Sequence, residues 1–538
     1  MLEDLRSASS ALSEALDHYV NTCAKLRDRY FEERATDKLD ELLNCVANEL
    51  QLVTSYEIKL KQAEAPIKAV RNNSPVAVPI SRLPPEMLAR IFQIVVDDQP
   101  ELYDAARDPF VASLSLPKYP ERLSHVCFGW RHIALTTPSL WTRIDVVMNN
   151  SLGLRSLARA KVHAERAGRS TLDVYMTDPN LGPGKISYHK PNDFEDCSFL
   201  AFPKTRMRSL NLTSSCGLSD SHHRFICYCI MNCAEQTLKQ LVVRYLPDQG
   251  TPYGFIVSAD SRHGPKSLEI DLPEHSLENI WHSITTLRLT GMYPYWTSRA
   301  YHQLVDLRIG RDVLIGRAPI SEAQLIDILK ASPRLKIFHV HSAVTGPLTH
   351  GDPITSVRLE ELESLNLSST QVNPSQILRL IVPGSRPLQL SIYGRPTDVV
   401  EHFLLRSNVT QLRLVAWGTY PPINALCLCP NLQVLVLDVF GIVGRANFQT
   451  VSDDHSQGAD LRSLYILRCP RMQFIGLQQI VERHSVHELT LWNTHIMIED
   501  EDRSEFVRRS KISGLCPVVH DLSSSLDDPD PMNSWDFF

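Results

Sequence analysis

Apolar residues near the start of the chain recur at helical spacing. They fall at Leu12, Leu16, Val20, Cys23 and Leu26, and again at Leu39, Leu43, Val46, Leu50, Val53 and Leu60. Leu39, Val46, Val53 and Leu60 are spaced by sevens, with Leu43 and Leu50 in a second seam position, which is a short heptad pattern. The pattern is interrupted around "FEERATDK" (31–38). It predicts a helical segment over 1–65, either a two-helix hairpin or a coiled coil that joins two copies. An amphipathic helix packed on its own chain fits as well. Residues 66–79 read as a linker, because "RNNSPVAVP" (71–79) pushes each residue before a proline out of the helical region.

The next pattern opens with a double proline. In "SRLPPEMLARIF" (81–92), Pro84 and Pro85 suit a first helical turn, where the missing N–H groups have no intrahelical partner. Glu86 sits near the positive end of the helix dipole. Met87, Leu88, Ile91, Phe92 and Val95 then form a broad apolar stripe that something must bury. A second helical stretch lies within "LSHVCFGWRHIALTTPSLWTRIDV" (123–146), with Val126, Trp130, Ile133 and Ala134 as its apolar side. "TTPSLW" closes it with a proline-marked turn.

From about residue 150 a short triplet, apolar-x-x-apolar-x-apolar, keeps returning. It appears as "LKQLVV" (238–243), "ITTLRL" (284–289), "LVDLRI" (304–309), "LKIFHV" (335–340) and "LESLNL" (362–367). It continues as "VTQLRL" (409–414), "LQVLVL" (432–437), "LRSLYI" (461–466) and "VHELTL" (486–491), with "RPLQLSI" (386–392) a partial copy. "LDVYM" (172–176) and "MRSLNL" (207–212) are weaker candidates for opening repeats. Copies recur every 20–31 residues or so, the leucine-rich-repeat range, and several follow an apolar helical segment. Strand after helix, repeated, predicts an α/β solenoid of parallel strands with outer helices over 150–515.

The triplet also predicts a surface. Its apolar residues point to the core, so the intervening positions face the other side of the sheet. Those positions are Arg288, Asp306, Arg308, His339, His341, Asn366, Arg413, Asp438, Tyr465, Glu488 and Trp492. Arginines, histidines, a tyrosine and a tryptophan suit a concave target-binding face. If they are exposed, alanine replacements there change stability by no more than about 0.5 kcal/mol.

Composition narrows the classes. The 538 residues exceed one ordinary core and predict two or three units, soluble and globular at 43% hydrophobic and 22% charged. A net charge of −6 gives no case for nucleic-acid binding. No apolar run suits a membrane span, and "MLEDLRSASS" does not read as a secretory signal. Twelve irregularly spaced cysteines predict reduced thiols, hence cytoplasm or nucleus. Residues 516–538, rich in serine, acids and proline, read as an acidic disordered tail.

Three stretches suggest chemistry and are set aside. "GPGKIS" (182–187) lacks the leading glycine of a phosphate loop, and Ile186 breaks the Lys-Ser pair. "HHRFICYCIMNC" (222–233) gathers His222, His223, Cys227, Cys229 and Cys233 without a paired C-x-x-C frame. His339 and His341, with His350 nearby, suit recognition better than metal binding. No catalytic constellation, metal or cofactor is expected.

"LPPEMLARIF…LSHVCFGWRHIALTTPSLWTRI" resembles an F-box, the helical module that docks on the Skp1 adaptor of SCF ubiquitin ligases. The matching positions are Leu83-Pro84, Glu86, Leu88, Ile91-Phe92, Val126-Cys127, Trp130-Arg131 and Pro138-Ser139-Leu140-Trp141. The module would span 80–146, with an insertion at 97–122 like that of the enlarged F-box-like form in expanded fungal families. The resemblance implies that Leu83, Pro84, Leu88, Ile91, Phe92, Val126, Cys127, Trp130, Leu140 and Trp141 contact a Skp1-like adaptor and, through it, a cullin. It implies a non-catalytic substrate receptor whose repeats recruit a protein target. Two other readings stand beside it: a helical cap sealing the first repeat, and a scaffold that uses repeats and coiled coil without a ligase.

Overall fold

The N-terminal apolar pattern forms two long helices, α1 (Leu2–Glu32) and α2 (Leu39–Asn73). The Tyr19 hydroxyl donates to Glu49 at 2.8 Å, and its ring meets Tyr56 edge-on at 6.2 Å, so the helices lie side by side in one chain. Helix α2 runs through Pro66 to Asn73, well into the stretch that reads as a linker. A proline costs one hydrogen bond and some straightness, which an exposed helix with good formers on either side tolerates. The computed structural model describes residues 1–32, 39–73, 76, 78–99, 116–148, 152–178, 206–214, 218, 220–245, 254–261, 267–310, 318–346, 356–394, 397–415, 428–438, 461–469, 472–500, 503–506, 509–522 and 531–532. Most of the 97–122 insertion, all of "GPGKIS" and His350 lie outside them. The chain divides into two units, Met1–Leu88 with Ser124–His132, and Ala89–Leu123 with Ile133–Phe538.

The double proline does start a helix. Pro85 opens α3 (Pro85–Asp97), and the Pro84 carbonyl accepts from the backbone N–H of Met87 and Leu88 at 3.0 and 3.1 Å. Leu88, Phe92 and Val96 recur every fourth position and are buried. Helix α4 (Phe128–Thr136) follows, and a 3₁₀ turn, Pro138–Trp141, ends the helical stretch.

All nine triplets and the partial copy lie on strands of one sheet. Its fourteen strands are β1 (Arg143–Val147), β2 (Leu172–Asp178), β3 (Met207–Ser214), β4 (Gln240–Tyr245), β5 (Thr286–Thr290), β6 (Asp306–Ile309) and β7 (Ile337–Val340), then β8 (Ser364–Leu367), β9 (Leu388–Tyr393), β10 (Val409–Val415), β11 (Val434–Asp438), β12 (Ser463–Leu467), β13 (Glu488–Trp492) and β14 (Val518–Leu522). They sit in chain order and every neighbouring pair is parallel. The fold is therefore mixed α/β around one large parallel sheet. Parallel neighbours need crossovers, and helices such as α5 (Gly153–Ala167), α6 (Asp220–Met231), α7 (Glu322–Ala331) and α8 (Phe474–Arg483) lie in them. Helix α7 starts on a capping box between Ser321 and Gln324. The apolar triplet positions, such as Leu287, Leu307, Phe338, Leu365, Leu412, Leu435, Leu464 and Leu489, are buried, as are Leu325 and Leu329 of α7 and Leu477 and Ile480 of α8.

The sheet exceeds its expected bounds at both ends. Strand β1 lies inside the stretch resembling an F-box, and β14 inside the expected tail. Neither "RIDVV" nor "VVHDL" carries the full triplet, but each adds backbone hydrogen bonds to a strand that would otherwise be an edge. Helix α5 covers the remaining edge of β1: His163 Nδ1 lies 2.9 Å from the Arg143 carbonyl oxygen, and the Val147 N–H donates to Ser156 Oγ at 3.0 Å.

Candidate functional site

Two surfaces emerge, one on the helices near the prolines and one on the polar side of the sheet. On α3 the buried stripe has an opposite. Met87 and Ile94, seven residues apart, are 53% and 55% exposed. On α4, Phe128 and Leu135, also seven apart, are 76% and 37% exposed. Two turns of helix bring such a pair onto one side, so each helix carries an apolar stripe in solvent. Leu83 and Val126 are exposed too, Pro84 is exposed, and Ile91, Cys127 and Trp130 are half-buried. The Trp130 N–H donates to Cys127 Sγ at 3.4 Å.

The structure withdraws four of the adaptor contacts implied by the resemblance. Leu88 and Phe92 belong to the buried stripe, and Leu140 and Trp141 have no exposed surface at all. Trp141 is an internal strut: its indole N–H donates to the Ala134 carbonyl at 2.7 Å, and Arg166 stacks 4.2 Å above its ring. His163 meets the same ring edge-on at 5.0 Å, and a tryptophan fixed on three sides is unavailable to a partner. Met87, Ile94, Phe128 and Leu135 are the large apolar residues that these two helices leave exposed, and their i, i+7 spacing was readable in the sequence. What was not readable is which side of each helix the rest of the chain covers.

The register brings all eleven predicted target-binding residues to one side of the sheet. Arg288, Arg308, His339, Asn366, Arg413 and Tyr465 share a row that runs strand to strand through Ser391 and Val436. Asp306 and Glu488 flank that row on one side, His341, Asp438 and Trp492 on the other. The expectation that these side chains are solvent-exposed is corrected. Asp306, His339, Asn366, Arg413 and Asp438 are buried, and the other six are half-buried. Strands about 4.8 Å apart let polar side chains in one row satisfy each other laterally.

That lateral pairing is specific. Arg288 and Arg308 both donate to Asp306, at 2.8 Å in each case for the shortest bond. Arg413 Nη2 donates to Asp438 Oδ2 at 2.7 Å, and Arg468 Nε to Asp438 Oδ1 at 2.8 Å. Each buried carboxylate is thus held by two guanidinium groups, which offsets its desolvation. Between the clusters, His339 lies 3.1 Å from Ser364 Oγ and His341 3.2 Å from Asn366 Oδ1. Burial, then Arg308, His341 and Arg288, push His339 down to about 2, so it is neutral at physiological pH. Arg468 was missed by the sequence reading because it follows its strand rather than lying on it.

A further crevice of about 300 Å³ lies where β1 to β5 begin, lined by Asp97, Arg143, Asp173, Arg208 and Lys239 among others. Both of its arginines are paired: Arg208 with Asp173, and Arg143 with Asp145, to which it donates at 3.0 Å. The cysteine-histidine stretch of α6 is structural in character. His222 lies 3.0 Å from Asp178, both buried, while His223 Nε2 lies 2.8 Å from the Glu269 carbonyl oxygen. Burial raises Cys227 and takes Cys233 up to about 11, against thiolate formation. Among the described residues no three metal-ligating side chains converge, and no helix is long and apolar enough to cross a membrane. Compared with known proteins, the chain matches no protein family and no curated relative.

Proposed function

We propose that the protein is a non-catalytic substrate receptor of an SCF-type ubiquitin ligase. The segment resembling an F-box binds a Skp1-like adaptor and through it a cullin, and the parallel sheet, a leucine-rich-repeat-like solenoid, recruits a protein target. The observation that carries this reading is the exposure of Met87 and Ile94 on a helix whose other side is buried. Apolar residues at two-turn spacing in water are a docking stripe for a protein. They occur in the two helices whose sequence resembles the adaptor-binding module. The α/β sheet, with strands in chain order, supports a repeat array.

Purifying the protein from its cell at native level tests this. A Skp1-like adaptor and a cullin should accompany it in stoichiometric amounts, and Met87→Asp with Ile94→Asp should remove both. A folded, native-level preparation free of both would overturn the receptor reading. The alternative, a scaffold outside any ligase, is favoured by one observation: Leu43, Leu50, Val53 and Leu60 are exposed along α2. Such a seam suits self-association. Under that reading the chain self-associates with no adaptor bound.

A further inference from the structure

The polar side of the sheet continues beyond the residues that the triplets single out. Asp306 pairs in register with Thr286, and the same row runs on through Gln240, Ser209 and Asp173 to Arg143. Those last five residues all line the crevice of about 300 Å³ where β1 to β5 begin, and Gln93, Val96 and Asp97 of α3 line it too. Every one of them belongs to the same unit of the chain. A row across five strands is about 19 Å long, the span of roughly six residues of extended chain.

Much of the crevice's polarity is satisfied internally. Its two arginines are paired, and the Arg143 guanidinium also lies 4.7 Å above the Tyr175 ring. Two groups stand apart. Lys239 is exposed, and among the described residues its ammonium has no carboxylate partner. The side-chain oxygen of Gln93 is buried and accepts no hydrogen bond. Its orientation is set by Asp97, to which the Gln93 amide nitrogen donates at 2.8 Å; a turned amide would oppose two oxygens. A buried acceptor without a donor is destabilising, and a ligand N–H seated in the crevice relieves it.

We propose that this crevice binds an acidic segment of the protein target. One carboxylate side chain of the segment meets Lys239, and one of its backbone N–H groups donates to Gln93 Oε1. This rests on the reading of the sheet as the target-binding element and not on the adaptor. The charge balance selects a carboxylate over a phosphate group. Lys239 is the single lining cation left unpaired among the described residues, and Asp97 and Asp173 share the crevice with it. A monoanion matches one free ammonium, whereas a phosphate of nearly two charges also meets two carboxylates. The hydroxyls of Thr142, Ser209, Thr285 and Thr286 both donate and accept, which suits a peptide backbone. Continuity of the row with Asp306 joins the crevice to the face already assigned to the target.

The probe is an array of acetylated hexapeptides of alanine, glycine and serine, with one central position fixed as glutamate, glutamine, lysine or phosphoserine. The full-length protein should be retained about fivefold more on glutamate than on glutamine, the gain expected of one exposed ion pair. Lys239→Gln, an exposed replacement, should remove that preference, and Lys239→Arg should keep most of it. Gln93→Leu should lower retention on every peptide while leaving the preference for glutamate in place. If Gln93→Leu does not fold, the two Lys239 variants decide alone. Equal retention on glutamate and glutamine, a preference that survives Lys239→Gln, stronger retention on phosphoserine, or undiminished retention of folded Gln93→Leu would overturn the proposal. The array needs neither adaptor nor native target. A flat array beside intact adaptor binding and target capture overturns the crevice and spares the receptor reading; a glutamate preference without target capture does the reverse.

Discussion

Arg413 illustrates how position and burial separate at the scale of a residue. Alternation along β10 places it on the polar side, yet it is buried against Asp438. Removing it leaves a buried carboxylate with one partner fewer. Arg413→Ala should therefore cost about 3 kcal/mol, well above the exposed-site expectation. Arg468→Ala, whose side chain is far more exposed, should cost about 1 kcal/mol or less. Denaturant unfolding of both variants checks this, and equal costs would contradict the burial argument. Protonation offers a second residue-scale test. The unfolded His339 binds a proton below its ordinary value of 6.5, whereas the folded one does so only near 2. Glu121 is also held near 2: burial alone would raise it, but bonds from His163 at 2.8 Å and Arg159 at 2.5 Å outweigh that. In both cases the unfolded chain takes up the proton first, so stability falls as pH drops. His339 acts from about pH 6.5 downward and Glu121 from about 4.5 downward. His339→Gln should flatten the upper window and Glu121→Gln the lower, read from midpoints of urea unfolding between pH 7 and 3. Unchanged slopes would contradict the assignment.

At the scale of elements, the two N-terminal helices present a choice that solution mass decides. Tyr19 and Glu49 hold α1 and α2 together within one chain, while Leu50 and Val53 stay exposed. If that seam joins two copies, light scattering on the full protein should give a dimer, and Leu50→Asp with Val53→Asp a monomer. A monomer before substitution would leave the hairpin as the whole account. The strands were the most legible elements, because a triplet of leucines at fixed spacing reports core positions directly. Strand β14 and the path of α2 through Pro66 were not legible: "VVHDL" is too short to show the triplet, and a proline signals a break unless its neighbours sustain the helix. In the candidate site, the face of every triplet residue could be read. Whether it met water could not, because lateral pairing across strands joins residues some 20–30 positions apart. Met532, packed against Val436 and Leu467, was hidden for the same reason, being an apolar residue in a polar stretch whose partners lie on distant strands.

On the scale of the whole molecule, the proposed receptor uses two surfaces. Under the proposed function, the exposed apolar stripes of α3 and α4 serve an adaptor and the polar face of the sheet serves a target; Met532 packs over the apolar end of that face. Each can be disabled alone. The most direct test is calorimetric titration of a purified Skp1-like adaptor into the full-length protein and two variants. The unaltered protein should bind one adaptor per chain. Met87→Asp with Ile94→Asp should weaken that by about 30- to 900-fold, the 2–4 kcal/mol expected of buried apolar anchors. Met532→Asp should bind the adaptor as the unaltered protein does. An unaltered protein that takes up no adaptor, or a folded double variant that binds it with undiminished affinity, would contradict the receptor account.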